Sequence, residues 1–380
     1  MPQPIYLDFQ STTPTDPRVI DAMIPYWKKR FGNPHSQTHR YGHEAKDAVE
    51  LARNQVADLI GADPDEIYFT SGSTESNNIV VQGIVMRSGR KCIAHTTIEH
   101  KCVLEACSGQ SRNGVEIIKI PVTSDGLVDF NFLADLPNNS ISLSCVMYAN
   151  NELGIVQPIE EISTILRKKG SLLHVDAAQA VGKIPINVIN DGIDFMSISA
   201  HKLYGPSGIG ALYIRREIRD EIRPLFYGGK QEKGIRPGTV PVPLCVGFGK
   251  ACELAMQQME KDSVHLEKCR AVFLSTLSDK IHNCKLNVDS TSRIPGTLNF
   301  RLPVPDVDLI LTRLESKVAV STGSACASGF IEPSHVLSAI GLTAEEAEQS
   351  LRLSFGRTSS LRDAKQAALY FSEALLTLDL

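Results

Sequence analysis

No stretch of the 380 residues approaches the ~20-residue apolar run of a membrane span. The opening residues, Met1-Pro2-Gln3-Pro4, lack a signal-peptide pattern and lead straight into a strand-like run. Positive charge is not in excess either. The 39 Lys and Arg stand against 43 Asp and Glu, for a net charge of −4. That balance gives no basic footprint for direct nucleic-acid binding. The nine cysteines are odd in number, scattered, and include no CxxC pair, which argues against a zinc or iron–sulfur site. Reduced thiols and a cytoplasmic protein fit that usage. Gly205-Pro206-Ser207-Gly208-Ile209-Gly210 lacks the GK[ST] ending of a nucleotide-binding P-loop. No internal repeat or low-complexity tract appears. What remains is an ordinary globular composition, 42% hydrophobic and 22% charged, long enough for two or three domains or one large enzyme subunit.

The most informative stretch is Ser197-Ile198-Ser199-Ala200-His201-Lys202-Leu203-Tyr204-Gly205-Pro206. The apolar run from Ile193 to Ile198 predicts a buried strand. A small-residue turn follows it, with one lysine. Burial disfavours a charged amine, and a neutral amine can form a Schiff base with an aldehyde. A lone lysine in a loop is more often a plain surface residue, so the rest of the chain must decide.

Strands alternate with helices through about residue 215. That predicts a mostly parallel sheet with helices on both faces and ligands outside the strands' carboxyl ends. Expected helices include Val19 to Phe31, Glu44 to Ile60 and Ile159 to Lys169. Expected strands include Glu66–Thr70, Ile141–Tyr148, Leu172–Asp176 and Gly210–Arg215. Ser73-Thr74, His100, Asn151, Asp176 and Lys202 all fall at strand carboxyl ends. Ser71-Gly72-Ser73-Thr74 links a strand to a helix, which is geometry for phosphate, although Ser and Thr cap helices anyway. A Gly-rich linker, 228–239, leads to a long helix from Pro243 to about Leu277 and then a smaller α/β domain. There, Cys326 lies in a loop of small residues, Ser321 to Gly329.

A lysine, a carboxylate on an earlier strand end and a phosphate turn together suggest pyridoxal 5'-phosphate. Lys202 meets the aldehyde, and Asp176 keeps the pyridine nitrogen protonated as an electron sink. Ser73, Thr74, Ser199 and His201 take the phosphate. His100 stacks on the ring and moves protons.

The stretches Tyr6-Leu7-Asp8, Phe31-Gly32-Asn33-Pro34, Thr70 to Asn78, Glu99-His100, Asn150-Asn151-Glu152, His174 to Gln179, Ser199 to Lys202, Arg236 to Thr239, Ser324-Ala325-Cys326 and Arg352-Leu353-Ser354 carry a resemblance across almost the whole chain. The sequence resembles cysteine desulfurases of the NifS/IscS type, class-V aminotransferase-like enzymes with the aspartate-aminotransferase-like fold. The resemblance implies a large domain with a mostly parallel seven-stranded sheet and a smaller α/β C-terminal domain. It implies an N-terminal segment, 1–15, packed with the small domain, a large domain, 16–255, and a small domain, 256–380. Lys202 would hold the cofactor, Asp176 the pyridine nitrogen and Gln179 the ring hydroxyl, with His100 as acid/base. Thr74, Ser199 and His201 would bind phosphate, with Thr239 reaching over from the other subunit of a homodimer. Asn33, Asn151 and Arg352 would hold the carboxylate of L-cysteine. Cys326 would take its sulfur as a persulfide, leaving alanine, and pass it to an acceptor protein. That sulfur would serve iron–sulfur cluster assembly, tRNA thiolation or DNA phosphorothioation. Thr38 to Gly42 and Arg236 to Pro243 resemble the phosphorothioation branch. Gln10, Ser11 and Lys230 depart from the common pattern. The rivals are another reaction of the same cofactor, aminotransfer or β-elimination with Cys326 a bystander, and a catalytically silent sulfur-relay scaffold.

Overall fold

Strands covered on both faces read as continuous apolar runs rather than alternations. The computed structural model, which describes residues 3–87, 92–322 and 334–377, builds its central sheet from such runs. Strand β1, Ile5–Tyr6, lies outside that sheet. The sheet comprises β2 (Ile67–Thr70), β3 (Cys92–Thr96), β4 (Glu116–Ile120), β5 (Leu143–Cys145), β6 (Leu172–Asp176), β7 (Phe195–Ser199) and β8 (Gly210–Ile214). Among the described residues it has seven strands in the order β2-β8-β7-β6-β5-β3-β4. Only β8 runs against its neighbours. Strand β2 therefore points the same way as β3, β5, β6 and β7, and their carboxyl ends open at one edge.

Successive side chains on a strand face opposite sides, and the two cores divide accordingly. Met196 and Ile198 of β7, with Ile67 and Phe69 of β2, pack under the helices Arg40–Ile60 and Val242–Ser278. Phe195 and Tyr68 face the other way, toward the helices Ser73–Arg87 and Lys101–Ser111. Close approach at the open edge requires glycine at one point. A Cβ on Gly210 would stand 2.3 Å from Ile198 O and 2.7 Å from Gly72 Cα. The start of β8 fits against the turn after β2 only without a side chain.

The C-terminal part adds β9 (Lys285–Leu286), β10 (Thr297–Arg301), β11 (Val318–Ala319) and β12 (Ser350–Ser354). Strands β12, β10 and β9 form an antiparallel sheet, and β11 pairs in parallel with β1. Leu7 packs there with Phe273, Phe300 and Phe371. The helix Val242–Ser278 serves both halves. Cys245 to Ala255 belong to the large core, whereas Cys269, Phe273 and Leu277 belong to the second.

Some boundaries differ from the sequence reading. The second helix begins at Arg40 rather than Glu44, because the His39 ring accepts from Gly42 N at 3.1 Å and caps it. The strand expected over 141–148 shortens to Leu143–Cys145, where pairing with β3 stops. The Asn150 side chain then closes a turn by accepting from Glu152 N and Leu153 N. The glycine-rich segment 228–239 is not a loose linker. Glu232 is buried in it, receives a two-pronged ion pair from Arg53 at 2.9 Å per contact, and accepts from Phe69 N at 2.7 Å.

Candidate active site

Strand β2 ends at Thr70, Ser71-Gly72 makes the turn, and the helix Ser73–Arg87 starts at once. Gly72 adopts φ +147°, a conformation that disfavours other residues. Free backbone N–H groups at a helix start and the helix dipole attract an anion. Ser73 Oγ is buried and has no hydrogen-bond partner among the described residues. A buried hydroxyl left unsatisfied is costly, and a phosphate oxygen would satisfy it. Glu75 closes the turn, with Ser71 N donating to Oε2 at 2.5 Å and Arg236 Nε to Oε1 at 2.9 Å. Burial pushes this carboxyl up, but those bonds outweigh it and hold it below the ordinary range.

A cleft of about 460 Å³ opens at this edge. Ser73, Thr74, His100, Asn151, Asp176, Gln179, Ser199, His201, Lys202 and Arg352 all line it. The sheet brings these together because each lies at or just beyond a strand that points the same way, Arg352 excepted; it arrives on β12. Lys202 occupies the short turn after β7. Its Nζ donates to Gln10 O at 2.5 Å and to Ser11 O at 2.7 Å. His201 meets the Thr12 hydroxyl at 3.0 Å, and burial, then the nearby Lys202 and Lys183 charges, pull its pKa down to about 4.

Asp176 is held from two sides. Asn77 Nδ2 donates to its Oδ2 at 2.8 Å and Ala178 N to its Oδ1 at 3.0 Å. Asn77 Oδ1 in turn lies 2.8 Å from His174 Nε2. Burial drives His174 down to about 4 against the pull of Asp176, so the ring is neutral near pH 7 and donates to Asn77 through Nε2. His100 caps the helix Lys101–Ser111 by accepting from Cys102 N at its Nδ1, 3.2 Å. That leaves Nε2 to carry the proton of the neutral ring. Burial lowers the His100 pKa, Asp176 opposes it, and Lys202 adds to it.

Arg352 is almost wholly buried. Its Nη2 donates to Asp8 Oδ1 at 2.5 Å and to Ser11 Oγ at 2.7 Å, and its Nη1 to Asn151 O at 3.0 Å. Its fork is therefore already engaged by Asp8, the neighbouring-acid arrangement that is the ordinary structural use of a buried arginine. Arg352 Nε has no partner among the described residues.

Asn33 and Thr239 do not line the cleft. Asn33 is exposed and its side chain accepts from His35 N at 3.0 Å, closing its own turn. Thr239 is exposed on the 228–239 segment. Cys326 lies outside the described residues. Sequence reasoning missed Asn77, His174 and Cys102, which surround Asp176 and His100. The signal for Asn77 was its spacing, four residues after Ser73 and so on the same helical face.

These residues suit pyridoxal phosphate: an unsatisfied hydroxyl at a helix start for the phosphate, a lysine within the cleft for the aldehyde, and a fixed carboxylate for the ring nitrogen. The comparisons agree. Residues 5–366 match the family model described as aminotransferase class-V. The chain is 47% identical over 366 residues to a cysteine desulfurase IscS of Rickettsia prowazekii, covering 96% of this chain and 89% of that one. It is similar to the solved structure of a NifS-like protein, with TM-score 0.92, 34% identity and coverage of 99% and 100%. It is similar also to DndA from Streptomyces lividans, with TM-score 0.78, 36% identity and coverage of 91% and 98%. The chain belongs to the class-V aminotransferase family of pyridoxal phosphate enzymes and, within it, to the cysteine desulfurases.

Proposed function

We propose that this enzyme converts L-cysteine to L-alanine, with the sulfur captured on Cys326 as a persulfide and then passed to an acceptor protein. The observation that carries the proposal is the convergence of Lys202, Asp176, His100 and the Ser73 turn on one cleft that also receives Arg352. Bound pyridoxal phosphate supplies an electron sink that acidifies the substrate's α-carbon. Ser73, Thr74, Ser199 and His201 hold the phosphate end, Lys202 anchors the aldehyde end, and Asp176 holds a proton on the ring nitrogen. His100, neutral because of its burial, gives up and takes back the proton it carries at Nε2. Asn151 and Arg352 hold the substrate carboxylate; Asn33, the third group the resemblance offers for it, stands outside the cleft. Cys326 supplies the second nucleophile, splitting one hard step into two easier ones. A Cβ–S bond breaks and an S–S bond forms, so a cysteine and a thiol become an alanine and a persulfide with no oxidant or reductant.

The same reading makes the enzyme a cytoplasmic homodimer in which Thr239 completes the neighbour's phosphate site. The exposure of Thr239, and separately the exposed Trp27, Phe31 and Tyr41, support surfaces covered by a second subunit. The eight cysteines among the described residues are all free, as in a reducing compartment. The domains are an N-terminal segment, 1–15, a large domain, 16–255, and a small domain, 256–380. The core that changes along Val242–Ser278 and the β1–β11 pair support this division. The test is to add L-cysteine to purified enzyme and measure alanine and protein-bound persulfide. Equimolar first-turnover yields are expected. Pyruvate, or transamination without persulfide, would assign another reaction of this cofactor, and no product at all would leave a relay scaffold.

A further inference from the structure

Lys183 lies behind the cleft, where Gln10 also lines a second, smaller cavity of about 40 Å³. Lys183 is half-buried. Its Nζ donates to Gln179 Oε1 at 2.9 Å. Gln179 Nε2 then donates to Gln10 O at 2.8 Å, the same carbonyl that Lys202 Nζ reaches at 2.5 Å. A hydrogen-bonded chain thus joins Lys183 to Lys202 through Gln179 and one backbone oxygen. Lys183 does not line the cleft, so whatever it does there passes through its neighbours.

A glutamine amide presents either an oxygen or an NH₂, and nothing in its shape chooses between them. A lysine head chooses, because it offers donors. We propose that Lys183 is a positioning residue that fixes the Gln179 amide with its oxygen turned away from the cleft, so that its N–H is the group offered to the cofactor's ring oxygen. The inference rests on the reading of Gln179 as the ring-oxygen partner. Burial, then repulsion from Lys202 and Arg352, holds Lys183 down to about 7. The charged head can only donate; the neutral amine keeps N–H donors for Oε1, and the Gln10 carbonyl, which can only accept, keeps the NH₂ on its own side in either state.

The test is a double-mutant cycle on the full-length protein, read by absorbance titration of the cofactor-free enzyme with pyridoxal phosphate. Lys183→Met should weaken cofactor binding about tenfold and move the pH midpoint of the bound cofactor's absorbance, the loss of one charge-assisted hydrogen bond. Gln179→Ala should do about as much, and Lys183→Met on top of Gln179→Ala should add less than twofold. Lys183→Arg, a head that can only donate and has the small cavity beside it for room, should restore affinity and midpoint. If Lys183→Met unfolds the chain, Lys183→Gln, whose head can present an oxygen, takes its place in the cycle. An equal loss from Lys183→Met with and without Gln179, or no loss at all, overturns the positioning role. Wild-type protein that binds no pyridoxal phosphate overturns both this inference and the functional reading, so the two failures are distinct.

Discussion

Asn77 donates to Asp176 Oδ2 at 2.8 Å, although the two residues are 99 apart in sequence. Asn77 lies on the helix that begins at Ser73. One helix therefore supplies the phosphate turn at its start and, one turn later, steadies the carboxylate for the ring nitrogen. Asn77→Leu removes the donor and leaves a buried carboxylate oxygen unpaired. Such a change costs about 1–3 kcal/mol, and pyridoxal phosphate affinity should fall about tenfold or more. Cofactor titration by absorbance measures this; unchanged affinity would mean Ala178 N alone positions Asp176.

Arg352→Lys keeps the charge and loses the planar fork that spans Asp8, Ser11 and Asn151 O. KM for L-cysteine should rise about tenfold, with the bound cofactor's absorbance unchanged. Asp8→Asn tests the other partner. If the Asp8 carboxylate competes with the substrate's for Arg352, steady-state KM drops in the variant; a higher KM would show that Asp8 aims the guanidinium instead.

Lys202 and Cys326 divide the chemistry between them. Borohydride should fix the cofactor to Lys202, and Lys202→Ala should purify without the yellow band. Cys326→Ser should still change colour with L-cysteine, because the cleft residues are intact. It should form no persulfide and release almost no alanine, since a serine oxygen is a poor partner for the substrate's sulfur. Turnover of this variant at the wild-type rate would refute Cys326 as the nucleophile.

Glu99 gives a pH signature. Its Oε1 accepts from Thr96 Oγ1 at 2.6 Å and from Met147 N at 2.7 Å, while its Oε2 is buried without a partner among the described residues. Burial pushes the carboxyl up to about 8. The folded state thus holds a proton that the unfolded chain releases near 4.5. This contribution is fully present below pH 4.5 and is lost as the pH rises through 8. Glu99→Gln cannot ionise. It should melt within a degree or so of wild type near pH 5 and several degrees higher than wild type at pH 8.5. Parallel melting curves for the two proteins from pH 5 to 8.5 would show that Glu99 is not protonated in the fold.

Much of this site was legible because parallel sheets place chemistry at strand ends. The apolar runs before Asp176 and Lys202 located both residues, and the small-residue turn located Ser73 and Thr74. Strand β4 was missed because its Glu-Ile-Ile-Lys-Ile is half exposed at the sheet edge and reads neither as an apolar run nor as a clean alternation. His174 looked like part of a strand, and only the fold shows that it backs Asn77. Lys183 and Gln179 lie in turns rather than on a helix, so their spacing of four announced no contact, and which groups face the cleft is a tertiary fact. Asp8 and Arg352 are 344 residues apart, and no local pattern announces such a pair.

The anchoring of Glu232 has a consequence for assembly. Its carboxylate is clamped by Arg53 and by the backbone of Phe69, within β2 and two residues before the Ser71 turn. The segment that ends in Thr239 is thus indexed to the strand that shapes the chain's own anion cradle. A dimer built on that segment would use each subunit's cradle as the reference point for the neighbour's, so a shift in either strand would misalign both sites together. Loosening Arg53, which does not line the cleft, would then act in such a dimer as a loss of alignment between the two sites rather than as a local defect.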